Sequence, residues 1–254
     1  MSTVINDVPF VVTHESVATY RNGRNPRDGY DRGAGLKYRG LAQKIAAQPD
    51  FQAAAALAHD RSIVSPDRLM NLYMLIRLYL PRIAPGHIVE YGSFKGGSAM
   101  FMAKLAQHYL PGVNIYGLDT FQGLPAPDNS IDGLPPGEFA SNYDEVTSAA
   151  KVAGLENLQF IRGLFHDTAP SVLTLCKNVA LIHIDCDLYE PVQYAYDISK
   201  PFMVPGGYVV FDDATEASCL GATEAVENAL IQRDGLHAEQ IDPHFVFRYP
   251  PLKG

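Results

Sequence analysis

The 254-residue chain reads as an α/β fold built on a doubly wound, mostly parallel sheet of seven strands. Three observations carry that reading. From His87 onward, short apolar runs alternate with amphipathic stretches of helical period, the rhythm of βαβ units. Acidic residues stand where four of these runs end, at Glu90, Asp119, Asp185 and Asp212-Asp213. The last two runs are separated only by Asp242-Pro243 and their flanks, a span that permits an antiparallel hairpin and no crossover.

The elements follow in order. Helical pattern begins near Gln43, passes through the alanine-rich stretch Phe51–His59, and resumes over Pro66–Leu80, where Ser65-Pro66-Asp67 supplies a cap and a first turn. Five runs then fit strands: His87–Tyr91, Val113–Leu118, Leu158–Ile161, Val179–Ile184 and Gly207–Phe211. Helices are predicted over Gly97–Tyr109, Tyr143–Ala153, Ser171–Lys177, Val192–Phe202 and Ala222–Arg233. His237–Ile241 and Phe245–Tyr249 close the sheet as a hairpin. Five parallel strands completed by such a hairpin form the arrangement of a Rossmann-like class I methyltransferase. Residues 1–45 are expected to form an N-terminal arm, flexible or lid-forming, and residues 46–254 a single domain. Within it, about residues 121–142 form a lid insertion, because a stretch carrying Gly123, Pro125, Pro127, Gly133, Pro135, Pro136 and Gly137 is too long for a bare connection.

Composition removes several classes of function. The formal charge of −8 is the opposite of the basic stripe that phosphate-backbone binding needs, so nucleic acid is excluded as a partner. The exception is residues 21–44, with seven basic against two acidic side chains, a segment that could meet an anionic ligand. No basic region precedes an apolar stretch at the N-terminus, and the run Leu69–Leu80 is interrupted by Asn71 and Arg77, so neither a signal peptide nor a membrane span is expected. Cys176, Cys186 and Cys219 match no zinc or disulfide spacing. A reducing, cytoplasmic setting is the simplest reading.

The chemistry concentrates at the strand ends. Glu90-Tyr91-Gly92-Ser93-Phe94-Lys95-Gly96-Gly97-Ser98 is a glycine turn into a helix, where backbone can approach a ligand and free N–H groups attract an anion. It lacks the G-x-G-x-x-G of a dinucleotide site, since Phe94 stands at the second glycine position. Asp119, followed by Thr120-Phe121, ends the second strand, where an acid can accept both hydroxyls of a ribose. An acid after each of the first two strands suits S-adenosylmethionine, whose ammonium and ribose both seek a carboxylate. Asp185-Cys186-Asp187 and Asp212-Asp213 end neighbouring strands, and four close carboxylates repel one another unless a cation lies among them. All-oxygen ligation points to Mg²⁺. On an extended strand end, Asp185 and Asp187 would aim to the same side. His183 reads as a core histidine, and His166 stands after the third strand near where an adenine would lie.

Together, VEYGSFKGGSAM, YGLDTFQGLP, FIRGLFHDTAP, HIDCDLYEPV and PGGYVVFDD resemble the macrocin O-methyltransferase family (TylF/MycF/NovP type) over roughly residues 60–250. The resemblance implies an oligomeric, Mg²⁺- and S-adenosylmethionine-dependent enzyme that methylates a sugar hydroxyl of a glycosylated antibiotic-type natural product. It implies that Glu90, Gly92, Ser93 and Ser98 serve the methionine end and that Asp119, Thr120, Phe121 and Gly163 flank the nucleoside. It further implies that Asp185 touches both cofactor and metal, that Asp212 and Asp213 complete the metal site, and that Asp187 is the catalytic base. Two positions depart from the family pattern, Pro191 and Ala214, and both bear on the acceptor pocket. Leu188 replaces the lysine of catechol-type relatives, which disfavours a phenol acceptor. Two rival readings are a metal-dependent glycosyltransferase using the D-x-D, which leaves the glycine turn and Asp119 without a task, and a non-catalytic S-adenosylmethionine-binding module, which leaves the metal acids unexplained.

Overall fold

Alternating side chains on each central strand feed two separate apolar layers. Ile88, Ile115 and Leu181 pack toward one side of the sheet, while Val89, Leu118 and Ile182 pack toward the other, as the period of two requires. The protein, a computed structural model, is described over residues 2–5, 8–11, 41–127 and 131–249. The expected arm over residues 1–45 therefore lies largely outside the described residues. Within it stand a two-stranded antiparallel pair, β1 (Ser2–Ile5) and β2 (Val8–Val11), and the start of α1 (Leu41–Ala46).

Helices α2 (Pro49–Ala58) and α3 (Pro66–Met74) precede the sheet. Pro66 occupies the first turn of α3, where its missing N–H costs nothing. The helix expected to reach Leu80 continues as a wider π turn over Leu75–Tyr79. The main sheet alternates with helices in the order β3 (His87–Tyr91), α4 (Gly97–Tyr109), β4 (Ile115–Asp119), α5 (Tyr143–Val152), β5 (Leu158–Arg162), α6 (Phe165–Cys176), β6 (Val179–Ile184), α7 (Tyr189–Ser199), β7 (Met203–Phe211), α8 (Leu220–Ala225) and β8 (Phe245–Tyr249). Strands are ordered β5-β4-β3-β6-β7-β8, parallel except for the final antiparallel pair β7–β8. The α/β class, the parallel core and the C-terminal hairpin are all present.

Two details differ from the sequence reading. The sheet has six strands among the described residues rather than seven. His237–Ile241 turns back on β8 about Asp242-Pro243 but makes only the Gln240–Val246 bridge. Half-exposed Ala238 and Gln240 offer little apolar surface to hold a longer ladder there. Helix α6 also starts at Phe165, six residues before the predicted Ser171. Pro170 lies inside it and removes one backbone donor, while Ala169, Val172, Leu173 and Cys176 bury one face of the helix on the sheet and offset that loss.

The strand order places a switch point between β3 and β6. Gly92, just past β3, has φ +87°, and a Cβ there would stand 1.7 Å from the carbonyl oxygen of Asp185 just past β6. The two chain segments can touch only because no side chain intervenes. Gly92→Ala is expected to lower unfolding free energy by at least ~2 kcal/mol, about half from the left-handed backbone and the rest from prising the strand ends apart. A urea midpoint equal to wild type would contradict this close approach.

Candidate active site

Backbone hydrogen bonds carry the ladder one step beyond the strands. Gly92 N–H donates to Leu118 O (2.9 Å), Asp185 N–H to Tyr91 O (2.8 Å) and Asp212 N–H to Ile184 O (2.9 Å). The residues that follow β3, β6 and β7 thus leave the sheet at one level, beside Asp119 at the end of β4. A cavity of about 280 Å³ opens against this edge.

Of the nine residues expected to contact a cofactor, Gly92, Ser93, Ser98, Asp119, Thr120 and Asp185 line the cavity. The other three stand behind it. Glu90 is fully buried, accepting from Ser93 Oγ (2.7 Å) and lying 3.1 Å from His183 Nδ1, so it supports Ser93 instead of facing a ligand. The parallel register that sets Glu90 beside His183 is the reason. Phe121 (φ +57°) packs edge-on against Tyr143 and Phe160 beneath the cavity. Gly163 donates its N–H to Asp119 O (2.9 Å), and its neighbours Leu164, Phe165 and His166 form that wall instead.

Asp119 organises the glycine turn. Its Oδ2 accepts from the N–H groups of Ser93 and Phe94 and its Oδ1 from that of Phe121, all at 2.7 Å. Burial raises its pKa, and the three N–H donors oppose that rise. With three acceptor positions used, the carboxylate retains room for about one further donor.

The acids expected to hold a metal do converge. One carboxylate oxygen from each of Asp185, Asp212 and Asp213 lies within 4.8 Å of the others. Burial, and then mutual repulsion, pushes Asp185 and Asp213 well above the usual carboxylate range. Asp212 goes the other way: burial opposes its charge, but the imidazoles of His183 and His244 beside it hold it well below its ordinary value. Its Oδ1 is 2.7 Å from His244 Nε2 and its Oδ2 2.6 Å from the Arg68 guanidinium. Arg68 is itself buried and also bonds Glu216, Thr215 Oγ1 (3.3 Å) and the carbonyl of Pro243 (3.2 Å). A divalent cation fits this donor set, since it would satisfy the two acids that burial and repulsion otherwise protonate.

Asp187 is reached differently from the extended geometry expected of it. The chain turns after Ile184 and Asp187 has φ +62°, so it does not simply repeat the direction of Asp185. Its N–H donates to Asp213 Oδ2 (2.9 Å), and its Oδ1 accepts from Cys219 Sγ at 3.4 Å. Burial, opposed by the Cys219 thiol and aided by Asp212, pushes its carboxyl up to about 6. A half-buried carboxylate lining the cavity with that pKa can take a proton near neutral pH.

The insertion after β4 folds over the site in its described part. Leu124 N–H donates to Glu138 O and Gly137 N–H to Leu124 O, both at 2.9 Å. Ser141 Oγ bonds Phe94 O (2.5 Å), and Phe94 packs edge-on against Phe139. At the far end Asp132 receives the Tyr189 N–H at the start of α7 (3.1 Å). His166 and Tyr194 also line the cavity, their rings in contact with centroids 3.8 Å apart and planes tilted by 35°.

Sequence reasoning missed Arg68, His244 and Cys219. A signal for His244 existed, because antiparallel pairing of Phe211 with Phe245 sets Asp212 opposite the residue before Phe245. Nothing local marks Arg68, which meets Asp212 across 144 positions.

With this geometry described, comparison with known proteins decides the family. The family described as Macrocin-O-methyltransferase (TylF) matches residues 50–247. The chain belongs to that family. It is therefore a methyltransferase, and the glycosyltransferase reading of its D-x-D is set aside. The methyltransferase is 32% identical over 178 residues to an 8-demethyl-8-(2,3-dimethoxy-alpha-L-rhamnosyl)-tetracenomycin-C 4'-O-methyltransferase of Streptomyces olivaceus, covering 66% of this chain and 67% of the relative. It is 25% identical over 194 residues to a mycinamicin III 3''-O-methyltransferase of Micromonospora griseorubida, covering 71% and 74%. The solved O-methyltransferase NovP superposes with a TM-score of 0.64 at 22% identity, over 88% of this chain and 98% of that one. Among the described residues, no helix of the methyltransferase is long and apolar enough to cross a membrane.

Arg68→Ala would leave Asp212 buried with one cationic partner removed and is expected to cost about 3–5 kcal/mol of stability. Thermal or urea unfolding checks this, and a loss below ~1 kcal/mol would mean that Arg68 is not the main counter-charge.

Proposed function

We propose that the methyltransferase transfers the methyl group of S-adenosylmethionine to a sugar hydroxyl of a glycosylated secondary metabolite, with Mg²⁺ at the strand-end acids. The observation that carries this reading is the convergence of Asp185, Asp187, Asp212 and Asp213 at the sheet edge where the glycine turn and Asp119 also line a cavity. One edge of the sheet offers both a nucleoside-type cradle and an oxygen-rich cation site. The relatives named for sugar-bearing antibiotics support the acceptor class.

In this reading Ser93, Ser98 and Asp119 seat the donor, and the His166–Tyr194 surface receives its base. Asp185, Asp212 and Asp213 would hold Mg²⁺, which when bound polarises an acceptor hydroxyl and lowers its pKa. Asp187 takes the hydroxyl proton as the methyl moves. Its place is kept by the backbone N–H bond to Asp213 and by the Cys219 thiol. The lid, docked through Asp132 on α7, keeps bulk water from the reacting groups.

The decisive experiment supplies methyl-labelled S-adenosylmethionine with a panel of glycosylated natural products and locates the label by mass spectrometry and NMR. Label on a sugar oxygen is expected; label only on a phenol or an amine would refute the acceptor class. EDTA should abolish turnover and Mg²⁺ restore it, whereas full activity after exhaustive chelation would remove the metal from the reaction. Asp187→Asn retains shape without basicity and should lower kcat by roughly 10²–10⁴. Its Mg²⁺ affinity, measured by calorimetry, should stay near wild type. Normal turnover, or failure only through lost Mg²⁺, would make Asp187 a support for the metal ligands instead.

A further inference from the structure

The cavity wall is acidic, carrying Asp119, Asp132, Asp185, Asp187 and Glu190, yet it contains a single arginine and no lysine. That arginine, Arg61, lies in the turn between α2 and α3. Its guanidinium has no hydrogen-bond or ion-pair partner among the described residues. The turn is held hard against the start of α4: Gly97 N–H donates to Arg61 O (3.2 Å), and a Cβ on Gly97 would sit 2.7 Å from both the Arg61 carbonyl carbon and Ser62 Cβ. Only a glycine at that position lets the turn come so close. The Arg61 backbone is therefore fixed beside the start of α4, and Arg61 shares the cavity wall with Gly92, Ser93 and Ser98, where the first turn of a thirteen-residue helix also leaves N–H groups without intrahelical acceptors.

A half-buried arginine without a side-chain partner, on the wall of a cavity beside a helix start, suits an anion. S-adenosylmethionine brings two positive groups and one negative. The sulfonium and ammonium suit the acidic wall, and only the carboxylate is out of place there. We propose that Arg61 binds the methionine carboxylate of the methyl donor, together with the first turn of α4, and so fixes the end from which the donor is threaded. This rests on the reading of S-adenosylmethionine as the donor. Arg61 is the one cationic side chain on that wall, so it is the group that would select a carboxylate.

Decarboxylated S-adenosylmethionine, which keeps the sulfonium, amine and nucleoside but lacks the carboxylate, separates this role from a structural one. Binding of both compounds is measured by calorimetry for the wild type and for Arg61→Gln and Arg61→Ala. Arg61 bonds no other described side chain, so both variants should unfold at wild-type temperature. In the wild type, S-adenosylmethionine should bind more tightly than the decarboxylated form. Each substitution should weaken S-adenosylmethionine about 10- to 100-fold, as expected for a lost charge-assisted hydrogen bond. Affinity for the decarboxylated compound should stay within about twofold, so that the preference collapses. Equal losses for both compounds, or no loss for either, would overturn the role of Arg61 while leaving the donor assignment intact. Failure of the wild type to bind either compound would overturn the donor assignment itself.

Discussion

Asp212 ionises while buried just past the end of β7, and basic side chains from three parts of the chain are arranged around that charge. A lone buried carboxylate would protonate sooner than bear the cost of desolvation. Here it is flanked by Arg68 from α3 and His244 from the turn before β8, with His183 Nε2 3.5 Å away. His183 carries the connection onward to Glu90, and Glu90 to Ser93. A line of buried polar contacts thus runs from Asp212 through His183 and Glu90 to the glycine turn. It ties the acids that end β6 and β7 to the turn that follows β3. In-line transfer between bound groups requires such preorganisation.

The acids differ because their neighbours differ. Asp212 has three basic partners and stays ionised. Asp185 and Asp213 face mainly other acids, so burial and repulsion raise them. Asp187 sits between these extremes, half-buried and touched by a thiol, with a pKa near neutrality. Four carboxylates within one cluster thereby divide into one held ionised by basic neighbours, two raised by burial and repulsion, and one raised to a lesser extent.

Much of this was legible in the chain. Strand-end acids are visible because a parallel sheet delivers every strand to the same edge, so Asp119, Asp185, Asp212 and Asp213 could be grouped from position alone. Gly92 was legible as a turn residue. Glu90, Phe121 and Gly163 look equivalent to their neighbours in the motifs, yet none of them lines the cavity. Strand pleat puts Glu90 beside His183, a positive φ turns Phe121 into the core, and Gly163 is spent tying β4 to β5. Motif membership does not decide which side of a strand end a residue serves.

The sequence by itself determined the βαβ alternation, the parallel core, the hairpin and the set of acids, because each depends on local period or on residues adjacent in the chain. Tertiary structure alone decided who neutralises those acids and who faces the ligand. Arg68 and His244 reach Asp212 from 144 and 32 positions away, and Arg61 reaches the cavity because Gly97 lets its turn press on α4. Such pairings are set by strand register and helix packing, which sum many weak contacts over the whole domain. A charge pair formed that way leaves no spacing in the sequence to read.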